Sequence, residues 1–154
     1  MSAEGVQLES VIELVLAFAA EMNTWERRIS ARSRLENGNF VRDTRLAEAV
    51  ASLPYDAVLN EYYPIFKKYC TGRERTHGGF PSSWSREGTY RGASRDAVFR
   101  SEFEHPDRAC VYMRAGQFPD NRFKFVLFRK REGWRIDNAY WGRSDDGPWE
   151  RAVL

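Results

Sequence analysis

The first part of the chain carries apolar residues at helical spacing. From Leu8 to Ile29 they recur in steps of three and four residues, which places them on one side of a helix. Gly38, in the stretch "ENG", suits the left-handed cap that ends many helices. The pattern predicts an amphipathic helix of about thirty residues, roughly 45 Å long, which is enough to cross a small sheet.

Two further helical patterns follow this helix. Asp43 is a good N-cap for a second helix, and Pro54 opens a third in "PYDAVLNEYYPIFKKYC". Pro64 lies inside the third pattern, where it cannot donate a hydrogen bond and crowds the preceding turn. We therefore expect a kink there, or a break into two short helices.

A long irregular stretch separates the helices from the rest of the chain. Between Thr71 and Arg95 several glycines and Pro81 interrupt a polar sequence that contains Trp84 and Tyr90. Irregular segments of this length inside a domain are usually functional or partly disordered. A short strand around Tyr90 is also expected, paired with the sheet.

Beyond residue 95 the apolar pattern changes to a period of two, which is typical of strands. One face of each predicted strand is formed by Ala97, Phe99, Ser101 and Phe103, then by Ala109, Val111, Met113 and Ala115, and then by Phe123, Phe125 and Leu127. The turn "KREG" returns the chain as Trp134 to Trp141, and "GPWERAVL" is suited to a short last strand. Helices followed by strands predict an α+β domain with a mostly antiparallel sheet.

Composition favours one domain over residues 1–154, because 154 residues with 42% apolar side chains can fill a core. The net charge of only +2 gives no general attraction to nucleic acid or to an anionic membrane. Cys70 and Cys110 show no metal-binding or disulfide pattern, so we expect free thiols in the reducing cytoplasm. The apolar run at Val11–Ala20 contains Glu13, and nothing basic precedes it, which argues against a signal peptide or membrane span.

Candidate catalytic residues are few. His77 and His105 are the two histidines, and both lie in polar stretches typical of a surface. Asp137 could act as a base if an apolar pocket raised its pKa, with Tyr112 or Tyr140 donating to an oxyanion. We favour instead an ion pair of Asp137 with Arg135 or with a basic residue on the next strand.

Four stretches carry a family resemblance: "EMNTWERR", "IFKKYCTGRER", "FKFVLFRKREGWRID" and "GPWERAVL". In this order the chain resembles, from about Phe18 to Leu154, the immunity proteins of polymorphic toxin systems that have the nuclear transport factor 2-like fold. The resemblance implies a cone of one long and several short helices on a curved sheet. It also implies a cytoplasmic, non-catalytic protein that binds and occludes a cognate toxin domain, with no cofactor and no metal.

The sequence also predicts where a partner binds. Two segments lack the periodicity of core elements and carry large or charged side chains: Arg73, Arg75, Trp84, Tyr90 and Arg91 in the loop, and Trp141, Asp145 and Asp146 near the C-terminus. Trp84 and Tyr90 could equally fill the open end of the cone. A second candidate surface is the basic outer side of the Arg122–Arg131 strand. Open alternatives are an isomerase- or dehydratase-type enzyme, a ligand-binding protein that uses the cone, and a homodimer.

Overall fold

A computed structural model describes residues 2–36, 55–72, 88–116 and 121–152. The elements are α1 (Ala3–Glu36), α2 (Tyr55–Tyr69), a 3-10 turn (Arg95–Ala97), β1 (Val98–His105), β2 (Arg108–Arg114), β3 (Arg122–Lys130), β4 (Gly133–Gly142) and β5 (Glu150–Arg151). The helix predicted to begin at Asp43 lies outside the described residues. The strands form one antiparallel sheet in the order β1-β2-β3-β4-β5.

The helices pack on one face of this sheet. The apolar stripe of α1 is buried, including Val11, Val15, Phe18 and Trp25, as its spacing predicted. Phe18 contacts both Tyr69 of α2 and Phe125 of β3, with ring centroids 5.9 and 6.3 Å apart. This layered arrangement confirms the α+β class and is the one that the resemblance implies.

The third helical pattern forms one helix rather than two. α2 continues through Pro64, whose ring lies on the exposed side, so the predicted break does not occur. Its last turn is held because Tyr69 is buried against Phe18 of α1. Tertiary packing therefore outweighs the missing backbone donor.

The predicted alternation holds in β2 and β3 and fails at a bulge in β1. Ala109, Val111 and Met113 are buried in the helix-facing core, as predicted. In β1 a register shift between Val98 and Arg100 puts Phe99 on the opposite side of the sheet from Phe103. The prediction that these two phenylalanines share a face is wrong because a bulge reverses the alternation.

The region around Tyr90 forms a turn rather than the predicted strand. Two polar side chains of α1 hold this turn through its backbone. The Asn23 amide donates to the Tyr90 carbonyl at 2.8 Å and accepts from its N–H at 2.9 Å. The Glu26 carboxylate, on a residue only 3% exposed, accepts from the N–H and hydroxyl of Thr89. A Cβ on Gly88, which has a φ of +97°, would lie 2.4 Å from the Asn23 amide oxygen, so only glycine fits there.

The substitution Asn23→Ala is expected to lower the free energy of unfolding by about 2 kcal/mol, because the buried N–H and carbonyl of Tyr90 lose their hydrogen-bond partners. Guanidinium denaturation measures this change. Thr24→Ala on the exposed side of α1 is the control and should stay within about 0.5 kcal/mol of the wild type. Equal effects of the two substitutions would mean that the Asn23 hydrogen bonds do not stabilise the fold.

Candidate functional site

The sheet has a second face, opposite the helices, which we call the outer face. The side chains that pack together on it come from four strands, β1 to β4, and from the segment after β4: Phe99, Cys110, Tyr112, Val126, Tyr140 and Trp149. Long cationic side chains alternate with these on the same face, as the β3 pattern of Arg122 and Lys124 predicted. Among the described residues, this cluster contains no helical side chain.

Tyr112 is the centre of the outer face and is only 2% exposed. The Arg100 guanidinium lies 3.8 Å from its ring centroid, and the Trp149 ring lies 5.7 Å from it on another side. The Tyr112 hydroxyl donates to Glu102 at 3.1 Å. Burial raises the pKa of Tyr112, so its hydroxyl remains a donor at neutral pH. A tyrosine held in this way is a rigid support for the cations above it.

Cys110 lies beside this centre and is chemically inert. Its Sγ is 3.3 Å from a Glu104 carboxylate oxygen, to which the thiol donates. Burial, together with that carboxylate, raises the pKa of Cys110 to about 12. Since the thiolate is the nucleophilic form, Cys110 is no candidate for covalent catalysis. Cys70 is also a buried cysteine.

The predicted residues Asp145, Asp146 and Arg91 lie at one end of the sheet. Asp145 accepts from the Nε atoms of Arg114, at 3.1 Å, and of Arg122, at 2.9 Å, which joins the end of β2 to the start of β3. These hydrogen bonds hold the pKa of Asp145 below its usual range. A hydrogen bond with Tyr112 is the main cause that raises the pKa of Arg100, and the exposed Asp146 lies close enough to add to this effect.

Arg91 reaches the same end of the sheet through its backbone. Its carbonyl accepts from the N–H of Gly116, which follows β2, and its side chain is exposed. Trp141 lies on the core face, opposite Phe123 in the neighbouring strand, and is half-buried. Trp141 therefore packs beneath this end of the sheet, on the side that faces the helices.

The prediction that Tyr90 contacts a partner disagrees with its position. Tyr90 is 1% exposed, and its ring packs against Phe18, Phe123 and Phe125 with centroids 5.8, 4.9 and 5.4 Å away. It fills the space between α1 and β3, as in the alternative that the sequence left open. The remaining loop candidates, Arg73, Arg75 and Trp84, lie outside the described residues.

A cavity of about 1190 Å³ opens between α2 and the β3–β4 turn. Tyr63 is 39% exposed and lines it, whereas the adjacent Tyr62 is 2% exposed and points into the core. Adjacent residues on a helix point in different directions, so the two neighbours cannot both face inward. The charged residues at the wall are mostly cationic: Lys67, Lys130, Arg131 and Arg135, with Glu132 as a carboxylate.

Asp137 lies near this cavity as the extra residue of a bulge in β4. Ile136 pairs with Leu127 and Asn138 pairs with Val126, so Asp137 has no opposite residue in β3. Its carboxylate accepts from the hydroxyl of Thr71 at 2.7 Å, and Asp137 is 7% exposed.

The predicted ion pair of Asp137 with Arg135 is wrong. The Arg135 guanidinium donates to the backbone carbonyl of Trp134 at 2.8 Å instead. The bulge is the physical reason, because it turns the two side chains out of the simple alternation from which the pairing was predicted.

The residues of the enzyme alternative do not converge. Tyr112 and Tyr140 belong to the outer face, where their hydroxyls interact with Glu102 and Asn138, while Asp137 is bonded to Thr71. His105 is exposed at the β1–β2 turn, where its Nδ1 accepts from the Asp107 N–H. The described residues thus offer no shared site for a base and an oxyanion donor.

The alternating patterns placed the outer-face cations correctly, but sequence reasoning missed Phe99 and Trp149 as members of this surface. Phe99 was assigned to the core face, because no sequence signal marks the bulge that turns it outward. Trp149 carried a usable signal, since a tryptophan in "GPWERAVL" next to a turn can fold back onto a sheet.

Comparison with known proteins gives a family. None of the helices, over the residues described, is long and apolar enough to cross a membrane. Searches of curated proteins and of solved structures found no match. A family model described as NTF2 fold immunity protein matches residues 10–152, nearly the whole chain. Together with the helix-covered antiparallel sheet, this match shows that the chain belongs to the NTF2 fold immunity proteins.

Proposed function

We propose that this immunity protein neutralises a cognate toxin domain by binding it and covering its active site or substrate groove. The observation that carries the proposal is the outer face, on which Arg100 and Lys124 lie over the ring of Tyr112. Aromatic and arginine side chains are the usual anchors of protein interfaces. Those on the outer face are already ordered, so binding loses little further side-chain entropy.

Occupancy is sufficient for inhibition in this mechanism. This mechanism requires no nucleophile, base or cofactor, only a shape and charge that match the toxin domain. We expect it to act in the cytoplasm, where Cys70 and Cys110 remain thiols. The toxin domain is expected to come from a polymorphic toxin system.

We further propose that the interface includes the end of the sheet formed by Arg91, Asp145 and Asp146, with Trp141 supporting it. Arg114 and Arg122 are held there by Asp145, which fixes two guanidinium groups for a partner's acceptors. Arg73, Arg75 and Trp84 remain predicted contacts from the sequence.

The cavity supports a second candidate function, the binding of an anionic small molecule. Its wall combines cations such as Lys67 and Arg131 with the apolar side chains of Tyr63 and Phe66. A buried Asp137 next to the lining residue Thr71 is the feature that an isomerase or dehydratase would use. This candidate predicts turnover of a small substrate, or saturable binding of one.

Co-expression separates the two functions. The chain is expected to protect cells from the toxin encoded by the neighbouring gene and to co-purify with its toxin domain. Asp137→Asn should protect equally well, because the carboxylate has no chemical role in the occlusion mechanism. A growth assay with size-exclusion chromatography gives both results. Turnover of a small substrate by the purified protein, abolished by Asp137→Asn, would favour the enzyme instead.

A further inference from the structure

We propose that a row of alternating cations and tyrosines across the outer face is the centre of the toxin interface, with Lys124 as its main anchor. The row binds an acidic patch of the toxin domain, and Lys124 takes an Asp or Glu side chain. This inference rests on the proposed function and deepens it by naming the chemistry of the partner surface.

The strand register builds the row. Directly paired residues follow one another across the whole sheet, from β1 to β5: Arg100, Tyr112, Lys124, Tyr140 and Arg151. Paired residues of neighbouring strands project from the same face. With strands about 4.8 Å apart, the row spans roughly 19 Å, and its cations repeat about every 10 Å.

Lys124 occupies the middle of this row, on the central strand. Its ammonium lies 5.6 Å from the Tyr112 ring centroid and 5.9 Å from that of Tyr140. These contacts hold the side chain in place without neutralising its charge. The tyrosines therefore pre-organise a half-buried cation at the centre of the outer face.

The carboxylates near the row lie beside arginines and not beside Lys124. Glu102 lies 3.8 Å from Arg100 at the end of the row, Glu104 pairs with Arg108, and Asp145 pairs with two arginines. In the parts of the chain that the structure describes, neither Lys124 nor Arg151 forms an ion pair. The charge that remains for a partner at the centre of the face is positive.

A protein carboxylate fits this charge better than two other occupants. Proteins that bind single-stranded nucleic acid stack its bases on exposed aromatic rings. Tyr112, in contrast, is 2% exposed and lies beneath Arg100. A second copy of the chain, packed face to face about a two-fold axis through the row, would bring Lys124 against its own equivalent. An acidic protein surface meets neither obstacle.

The test uses calorimetric titration of the full chain with the toxin domain encoded by the neighbouring gene. Lys124→Met is expected to weaken binding about tenfold and Lys124→Glu about a hundredfold, while Lys124→Arg keeps most of the affinity. Arg27→Met and Arg27→Glu, on the exposed surface of α1, make the same charge changes away from the outer face and should bind like the wild type. Thermal melts of each free variant show that it is folded.

The alternative results overturn the inference in distinguishable ways. If the wild type binds and both charge-removing Lys124 variants bind equally well, the interface lies elsewhere while the proposed function stands. If the wild type forms no complex, the proposed function fails and the row loses its partner. If Lys124→Glu instead dissociates a dimer of this chain, or releases a single-stranded oligonucleotide that the wild type binds, the row serves a different partner.

Discussion

Tyr90→Ala is expected to lower the free energy of unfolding by about 3–5 kcal/mol, as for other aromatic residues removed from a core. Its ring contacts α1 and β3 at once, through Phe18, Phe123 and Phe125, and 1% of the residue is exposed. The truncated side chain would leave a cavity that these rings cannot close, since the Tyr90 backbone is fixed by Asn23. Guanidinium denaturation followed by circular dichroism measures the loss.

Two further substitutions make the result interpretable. Tyr90→Phe keeps the ring contacts and should cost about 1 kcal/mol, because only the hydroxyl is removed. Tyr63→Ala makes the same truncation at a tyrosine that is 39% exposed, and should stay within about 1 kcal/mol of the wild type. A Tyr90→Ala protein that is as stable as Tyr63→Ala but fails to bind the toxin domain would restore Tyr90 as a partner contact.

The parts of the fold that were predictable are those in which one local pattern decides the structure. The stripe of α1 and the alternation in β2 and β3 each repeat over several turns or pairs, so single exceptions do not alter the prediction. The course of the chain at Tyr90 was not predictable in this way. It depends on Asn23 and Glu26, which are polar residues on α1 that bind the turn from a distance of more than sixty residues.

The bulges explain the differences within the sheet. A single extra residue at Phe99 or Asp137 reverses which face the following side chains occupy, and no feature of either sequence marks it. Faces assigned by counting therefore fail beyond such a point. The same limit applies to the candidate site. The alternation showed that Lys124 points outward, but only the register shows that it lies between Tyr112 and Tyr140.

Reversing both charges in Asp145→Lys/Asp146→Lys is expected to weaken binding of the toxin domain by about a hundredfold, since charges at an interface would then repel their former partners. The two single variants should differ in stability. Asp146→Lys is expected to leave unfolding nearly unchanged, because its side chain is exposed. Asp145→Lys should destabilise the protein, because it replaces the acceptor shared by Arg114 and Arg122 with a third cation. Calorimetric titration and denaturation measure the two effects separately.

The pH dependence of the milder variant Asp145→Asn identifies the ion pairs as the cause of that destabilisation. Hydrogen bonds from Arg114 and Arg122 lower the pKa of Asp145 in the folded state. The ionised carboxylate therefore stabilises the fold fully at any pH above the pKa that this carboxyl has in the unfolded chain. That contribution is lost as pH falls through the lower, folded value. The wild type should therefore exceed Asp145→Asn in stability at neutral pH, and the difference should disappear in acid.

Glu13→Lys, an exposed charge reversal on α1, controls for net charge and should change neither affinity nor this pH profile. Equal affinities for the wild type and the double variant would show that the toxin interface does not extend to this end of the sheet, even if the Asp145 ion pairs stabilise the fold.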